Sequence, residues 1–488
     1  MDDNLKADTI NALSWSFLES AVTGVLRFVI GVILARLLFP EQFGLIGMLL
    51  IFIAVAQVFV QSGFDAALIQ KVDATPVDIC SIFYFNIFVG ISAWGVLCLA
   101  APWIAAFLNR PVLNPLLRVL SLTIVIDSLG AIQGTLFNKE INFKAITEVS
   151  LIAGLLSGIV GITLAVKGFG VWSLVAQQVS LSLFQAIALW VLSPWRPDLI
   201  FSFQSLRQMF GFGSRLLFSG ILHQIFENIY FLVIGKLFSA GDLGLFTRAK
   251  TMQDLPSQTM STVVGRVTFP VFSQNQSDPA RLKRGLKKAV KALVLINFPL
   301  MVGLSATAKP LVIVLLGQKW AGCIPFLQLL CAVGLLYPLQ VMNLNILTSV
   351  GRSDLFLRLE IVKKALTVLN LLIAWRWGIL GIIYGMVAMS IISFYLNSYY
   401  TRRLIDYSPG EQLKDLLPYL SIAALMGVAV FCIGLFRFHN LLMLLLIQIL
   451  TGAVVYLGLC RIFRLAAFVE VRRELCDRIP FLRTGSTA

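Results

Sequence analysis

Apolar stretches recur along the whole chain, parted by short polar breaks. A membrane-crossing helix takes about 20 mostly apolar residues. By that measure the pattern predicts about fourteen helices. They lie near residues 10–36, 44–68, 79–108, 115–137, 143–166, 170–193, 208–238, 243–273, 288–316, 321–349, 355–376, 378–400, 416–436 and 440–463. The fourth, eighth and eleventh are the least apolar. No connection is long enough to hold a folded domain outside the membrane. The fold class this predicts is an all-α polytopic membrane protein.

Composition agrees. Hydrophobic residues make up 58% of the 488, and charged residues 13%, against about 25% in typical soluble domains. A soluble core cannot hide that much apolar surface. The net charge of +15 would point to nucleic acid in a soluble protein. Here loop charges explain it, and no nucleic-acid partner is implied. With the amino terminus cytoplasmic, Lys and Arg gather in alternate loops: Lys71, Lys139 and Lys144, Arg196 and Arg207, the 281–291 cluster, Arg352, Arg402, Arg403 and Lys414. The tail adds Arg461, Arg464, Arg472, Arg473, Arg478 and Arg483, and outer loops hold little beyond Arg110, Lys167, Lys319, Arg376 and Arg437, a bias of about four to one. Both termini are then cytoplasmic. The opening "MDDNLKADTI" lacks a basic n-region and cleavage site, so the first span is expected to be retained. Trp103, Trp172, Trp320, Trp375 and Trp377 fall at outer span ends, as an aromatic belt would.

The sequence also repeats itself. "ARLLFPEQFGLIG" (35–47) and "GKLFSAGDLGLFT" (235–247) stand 200 residues apart, matching Arg36 with Lys236 and Gly44 with Gly244. "GFGVWSLVAQ" (168–177) and "GILGIIYGMVA" (378–388) pair Gly170 with Gly381 at an offset of 211. Spans 1–6 and 7–12 therefore read as two six-helix lobes of one orientation, residues 1–200 and 201–404. Two appended helices follow in 405–464, then a basic cytoplasmic tail in 465–488. Parallel repeats of this kind mark transporters, with the substrate path between the lobes.

Charges inside spans are costly and usually face a partner or a wet cavity. Glu19, Thr23 and Arg27 share one face of span 1 at i, i+4, i+8. Span 7 carries Arg215, His223 and Glu227. Span 8 carries Arg248, Lys250, Asp254 and Arg266. Asp65 lies near the inner end of span 2, Asp127 in span 4, Lys309 in span 9, and Arg358, Glu360, Lys363 and Lys364 in span 11. The candidate cavity cations are Arg27, Arg215, Arg248, Arg266, Lys309, Arg358 and Lys364. A cavity with cations in excess suits a large anionic headgroup. Glu19, Asp65, His223, Glu227 and Asp254 are candidates for coupling to an ion. Glu19–Arg27 and His223–Glu227 as simple internal pairs are the alternative reading. Prolines in spans 8 to 10 permit bending, and Gly154, Gly158 and Gly161 permit close helix contact.

Signatures of chemistry are absent. The seven cysteines form no CxxC pair and the two histidines make a metal site untenable. No nucleotide-binding, metalloprotease or serine-hydrolase motif occurs. The residues call for no enzyme activity, no metal and no cofactor.

Three stretches together resemble the polysaccharide-exporting branch of the MOP superfamily, the Wzx/WzxC-like flippases of lipid-linked oligosaccharides. They are "ILARLLFPEQFGLIGM", "QSGFDAALIQK" (61–71) and "LGLFTRAKTMQDLPSQTMSTVVGRVTFPVFS" (243–273). The third is the most specific; the first also recurs in related lipid II and teichoic-type exporters. The resemblance spans helices 1–12. It implies a V-shaped, MATE-like two-lobe fold in a bacterial inner membrane. It implies alternating-access flipping of an undecaprenyl-diphosphate-linked repeat unit of exopolysaccharide, capsule or O-antigen. The partners it implies are that lipid-linked substrate, membrane lipids and polysaccharide polymerase or export machinery. The rival readings are a multidrug exporter of the same superfamily and a membrane glycan polymerase or ligase. The excess of Arg and Lys opposes the first and the short outer loops oppose the second.

Overall fold

A computed structural model describes residues 22–60, 64–71, 73–140, 142–436 and 438–470. Among them, helices account for nearly all the structure and no strand occurs. In chain order the helices are α1 (22–37), α2 (Pro40–Val60), α3 (Phe64–Gln70), α4 (Pro76–Phe107), α5 (Leu113–Leu120), α6 (Leu122–Lys139), α7 (Phe143–Val166), α8 (Val171–Leu192) and α9 (Phe203–Leu237). There follow α10 (Ala240–Gln274), α11 (Pro279–Ala306), α12 (Ala308–Leu316), α13 (Cys323–Ser349), α14 (Ser353–Ala374), α15 (Gly378–Ile405), α16 (Pro409–Leu435) and α17 (Leu441–Ile462). Eleven segments among the described residues are long and apolar enough to cross a membrane, and one of these, Ser353–Ile405, holds both α14 and α15. The protein is an all-α, multi-pass membrane protein.

Several helix starts follow from local sequence. Thr75 accepts a hydrogen bond from the Asp78 amide while Asp78 accepts one from the Thr75 amide, a capping box with Pro76 in the first turn. Asp278 before Pro279 and Ser408 before Pro409 cap α11 and α16 by the one-way bond, each side chain accepting from the amide three residues on. Each side-chain acceptor satisfies an amide the helix leaves free, and proline has no amide to leave.

The helices divide into two compact units, Met1–Thr247 and Arg248–Ala488, the boundary falling inside α10. In the first unit, α7 receives α1 on its glycines: a Cβ at Gly154 would lie 2.9 Å from Leu26 and one at Gly158 2.5 Å from Ile30. Gly161 meets Gln177 of α8. At one end Phe64, Leu68, Ile82, Phe83, Leu206 and Met209 form a core beside Trp190 and Trp195. The start of α10 packs back on α2, with Gly44 against Ala240 and Gly244 against Pro40.

The second unit builds its core on α11. Leu286, Val290, Leu293 and Val294 pack with Met342 and Ile346 of α13 and with Ala423 and Met426 of α16. The Tyr456 hydroxyl of α17 donates to the Leu295 carbonyl at 2.7 Å, tying the last helix to the same core. On the surface, Lys283 and Lys287 bridge to Glu411, and Lys287 and Lys291 to Asp415.

Three details depart from the sequence reading. The ninth span breaks into α11 and α12 at Thr307, because Pro310 has no amide to bond the carbonyl of Ala306. The glycine that opens α15 with positive φ is Gly378 (φ +74°), equivalent to Gly170 (φ +56°) at the start of α8; Gly381 lies one turn further on. Trp320 is no belt residue, since it is fully buried in the second unit. Trp103, Trp172, Trp375 and Trp377 are exposed, as a belt requires.

Candidate functional site

In the first unit, α1 sets Arg27 between packing positions. Leu26 and Ile30 on either side enter α7, and Thr23 and Leu34, which share its face, are buried. Arg27 itself is exposed, so the packed seam of α1 opens there. No described residue pairs with it. On α9, His223 and Glu227 are one turn apart and both exposed, and no bond joins them. The internal pair is therefore absent, and both side chains are free to meet something else. Glu19 and the side chains of Arg215 and Arg266 lie outside the described residues.

The same unit holds two acids in a polar seam between α2–α3 and α6. The Gln57 amide donates to Asp127 Oδ2 at 3.1 Å. The Asn86 amide of α4 donates to Asp65 Oδ1 at 3.4 Å, and the Thr135 hydroxyl of α6 bonds the same carboxyl. Below them, Lys139 donates to the carbonyls of Leu68 and Lys71 at 3.2 and 2.9 Å. The three contacts keep α2–α3 and α6 parallel and in register.

In the second unit, Arg248 is half-buried on α10. Further along α10, Asp254 is held by Lys250, one turn before it, at 2.8 Å, so this coupling candidate already has a cation. Lys309, at the start of α12, is exposed. Lys364 is half-buried on α14, beside a Lys363–Glu360 ion pair. Arg358 takes the opposite side of α14, among exposed Leu357, Ile361 and Val362. The candidate cations are thus spread over both units, and each unit presents its own set.

Neutral polar residues also take part in these contacts. Gln57, Asn86 and Thr135 are uncharged, and so are Asn343, Gln412 and Ser398, whose side chains bond one another within the second unit. The only signal for them is an amide or hydroxyl inside an apolar run, where a partner is needed.

A family model described as "Polysaccharide biosynthesis protein" matches residues 33–325. The chain belongs to this family. The matched range takes in the repeated corners, the acid seam and all of α10. Within the same circle, the succinoglycan biosynthesis transport protein ExoT of Rhizobium meliloti (strain 1021) is 31% identical over 337 residues, 69% of this chain and 68% of ExoT. The teichuronic acid biosynthesis protein TuaB of Bacillus subtilis (strain 168) is 27% identical over 83% of this chain and 85% of its own length. The lipopolysaccharide biosynthesis protein WzxC of Escherichia coli (strain K12) is 28% identical over 81% of each. Among solved structures, the lipid II flippase MurJ in an inward closed conformation superposes with TM-score 0.76 at 17% identity, covering 92% of this chain and 98% of MurJ. An inward-facing MATE transporter of the MOP superfamily gives TM-score 0.63 at 16% identity, covering 79% and 96%. The family's fold here is that of MOP-superfamily transporters, as the sequence motifs led one to expect, and the likeness is to transporters rather than to enzymes.

Proposed function

We propose that the protein is a flippase of the bacterial inner membrane, carrying an undecaprenyl-diphosphate-linked oligosaccharide from the cytoplasmic to the outer leaflet by alternating access. The observation that carries this reading is membership of the polysaccharide biosynthesis family, in a chain whose fold follows that of a lipid II flippase along 92% of its length. The substrate class follows from charge. Arg27, Arg248 and Lys364, with Arg215, Arg266, Lys309 and Arg358 as further candidates, would bind diphosphate and acidic sugars, while the polyprenyl chain stays in lipid. Guanidinium forks suit phosphate oxygens. Organic cations as cargo are disfavoured by the same charges.

In this reading the lobes are residues 1–200 and 201–404, both termini are cytoplasmic, and the corners at 36–44 and 236–244 lie on the outer face. Polysaccharide polymerase and export machinery would take the product onward.

The test is export in cells lacking the native gene. Arg27→Ala and Arg266→Ala should insert normally yet accumulate lipid-linked repeat units on the inner leaflet, with Lys restoring little because a two-pronged contact is lost. Wild-type export by a normally inserted Arg27→Ala protein would remove Arg27 from the path. A cysteine at Ser277 should label only from the cytoplasmic side; labelling from outside intact cells would reverse the topology.

A further inference from the structure

We propose that Asp65, with Asn86 and Thr135, forms a proton-binding site inside the first unit. Its role in coupling a proton gradient to the transport cycle rests on the flippase reading above; its capacity to bind a proton does not.

One buried oxygen beside Asp65 lacks a partner. Asn86 is fully buried on α4. Its Nδ2 donates to Asp65 Oδ1, but its Oδ1 has no hydrogen-bond partner among the described residues. In a planar amide that oxygen sits beside the nitrogen, next to the carboxyl group. An ionised carboxylate has only lone pairs and cannot satisfy it. Thr135 offers no help, because its hydroxyl proton is donated to the Ala131 carbonyl at 2.9 Å. Its remaining hydrogen-bonding capacity goes to the Asp65 carboxyl, not to Asn86.

A single proton resolves this. With an O–H bond formed at Asp65 Oδ2, the acid donates to Asn86 Oδ1 while Asn86 Nδ2 still donates to Asp65 Oδ1. The result is a two-bond ring of carboxylic acid and primary amide. The proton comes from water, and no other covalent bond changes. Turning the amide over does not remove the need. It would set oxygen against oxygen, which again requires a proton between them.

The surrounding charges leave this site alone. Helix α3 is packed by α4, α6 and α9. On α4, Asp78 is held by Lys71 at 2.6 Å. On α6, Lys139 is bonded to the carbonyls of Leu68 and Lys71. On α9, Arg207, His223 and Glu227 are exposed, Lys236 donates to the Phe107 carbonyl, and the Arg215 side chain lies outside the described residues. No described cation pairs with Asp65.

A second acid lies along the same seam. Seventy residues separate Gln57 from Asp127, and seventy separate Asp65 from Thr135. The two carboxyls therefore sit about 12 Å apart along one seam, eight helical residues at 1.5 Å each. Asp127 accepts from the Gln57 amide at one point of the seam, and Asp65 from the Asn86 amide at the other. Beside the seam, a Cβ at Gly134 would meet nothing within 4 Å, leaving open space next to Thr135.

Infrared difference spectroscopy on the purified protein in empty liposomes tests the site. Acidification should raise a carboxylic C=O band that is lost in Asp65→Asn and kept in Asp127→Asn. In Asn86→Ala, which keeps the acid, the band should move to higher frequency because its hydrogen-bonded ring is gone. Absence of an Asp65-dependent band, or a band unmoved in Asn86→Ala, would overturn the proposal. So would sodium-22 binding at alkaline pH that Asp65→Asn abolishes, because the site would then hold a metal cation. Coupling is read separately. Glycan export by wild-type protein should respond to an imposed proton gradient, and export by Asp65→Asn should not. Equal gradient dependence in both would leave a proton site with no part in coupling and overturn that half of the proposal. If the protein moves no glycan at all, the flippase reading fails while the infrared result stands by itself.

Discussion

Gly44 and Gly244 lie back to back, each pressed on the first residue of the other's helix. A Cβ at Gly44 would fall 1.7 Å from the Ala240 carbonyl oxygen, and one at Gly244 would fall 1.8 Å from that of Pro40. The contact is reciprocal, as in a pair related by a two-fold axis. This is why the chain writes the same corner twice: the corner is complementary to its own copy. Only glycine lets the two backbones approach so closely.

Alanine at either glycine should destabilise the protein. In an uncrowded helix the change would gain about 1 kcal/mol from propensity. Here the added methyl meets backbone that cannot move aside, and overpacking of this kind costs roughly 1–3 kcal/mol. Thermal unfolding of the purified protein should show a loss for Gly44→Ala and for Gly244→Ala. The double variant should lose less than the sum, since one separation relieves both clashes. Gly410→Ala, where a Cβ meets nothing within 4 Å, should be neutral or stabilising.

The corner should also be lockable. A Cβ at Gly47 would lie 3.3 Å from Thr247 Oγ1, so cysteines at 47 and 247 have their Cβ atoms near disulfide range, about 3.5–4.5 Å. Oxidation should crosslink α2 to α10. If the outer ends part during each cycle, as rocking lobes require, the crosslink stops export and a reductant restores it. Export at the normal rate by a fully crosslinked protein would mean that this corner does not open.

Gln412 anchors a buried amide network. It accepts from Asn343 at 3.0 Å and from Ser398 at 3.1 Å, and donates to Asn343 at 3.1 Å. Gln412→Leu strands Asn343 Oδ1, while Asn343 Nδ2 keeps the Leu339 carbonyl at 2.8 Å, and an unpaired buried polar group costs about 1–3 kcal/mol. Adding Asn343→Leu should recover part of the loss. A double variant less stable than the single by the full cost of a second residue would show that the two amides act independently.

The Lys287–Glu411–Asp415 network ties the start of α11 to that of α16. Lys287 reaches Glu411 at 2.6 Å and Asp415 at 3.3 Å, and the Tyr407 hydroxyl adds a hydrogen bond to Asp415. Asp415→Asn should lower stability by at most about 1 kcal/mol, because the carboxylates are partly solvated. The difference from wild type, followed by thermal melts in a salt series, should shrink as ionic strength rises.

Hydropathy alone located the helices, since a bilayer admits only backbone that satisfies its own hydrogen bonds. The spans read from the sequence match helices such as α7 and α8 almost to the residue, and caps such as Thr75–Asp78 are local. The doubled corner and the family motif along α10 were likewise legible as strings of residues. What the sequence could not say is which way each helix turns. In lipid both the packed and the outer faces are apolar, so periodicity hardly distinguishes them. Tertiary structure alone left Arg358 exposed beside Leu357 and Ile361, buried Trp320, joined Gly44 to Gly244 across 200 residues, and brought Asn86 to Asp65. The charges drew attention to Asp65, but its partners are neutral, and a neutral amide in an apolar run gives no sign of its orientation. Partners so far apart in sequence are chosen by how the helices pack, and only the folded chain brings them together.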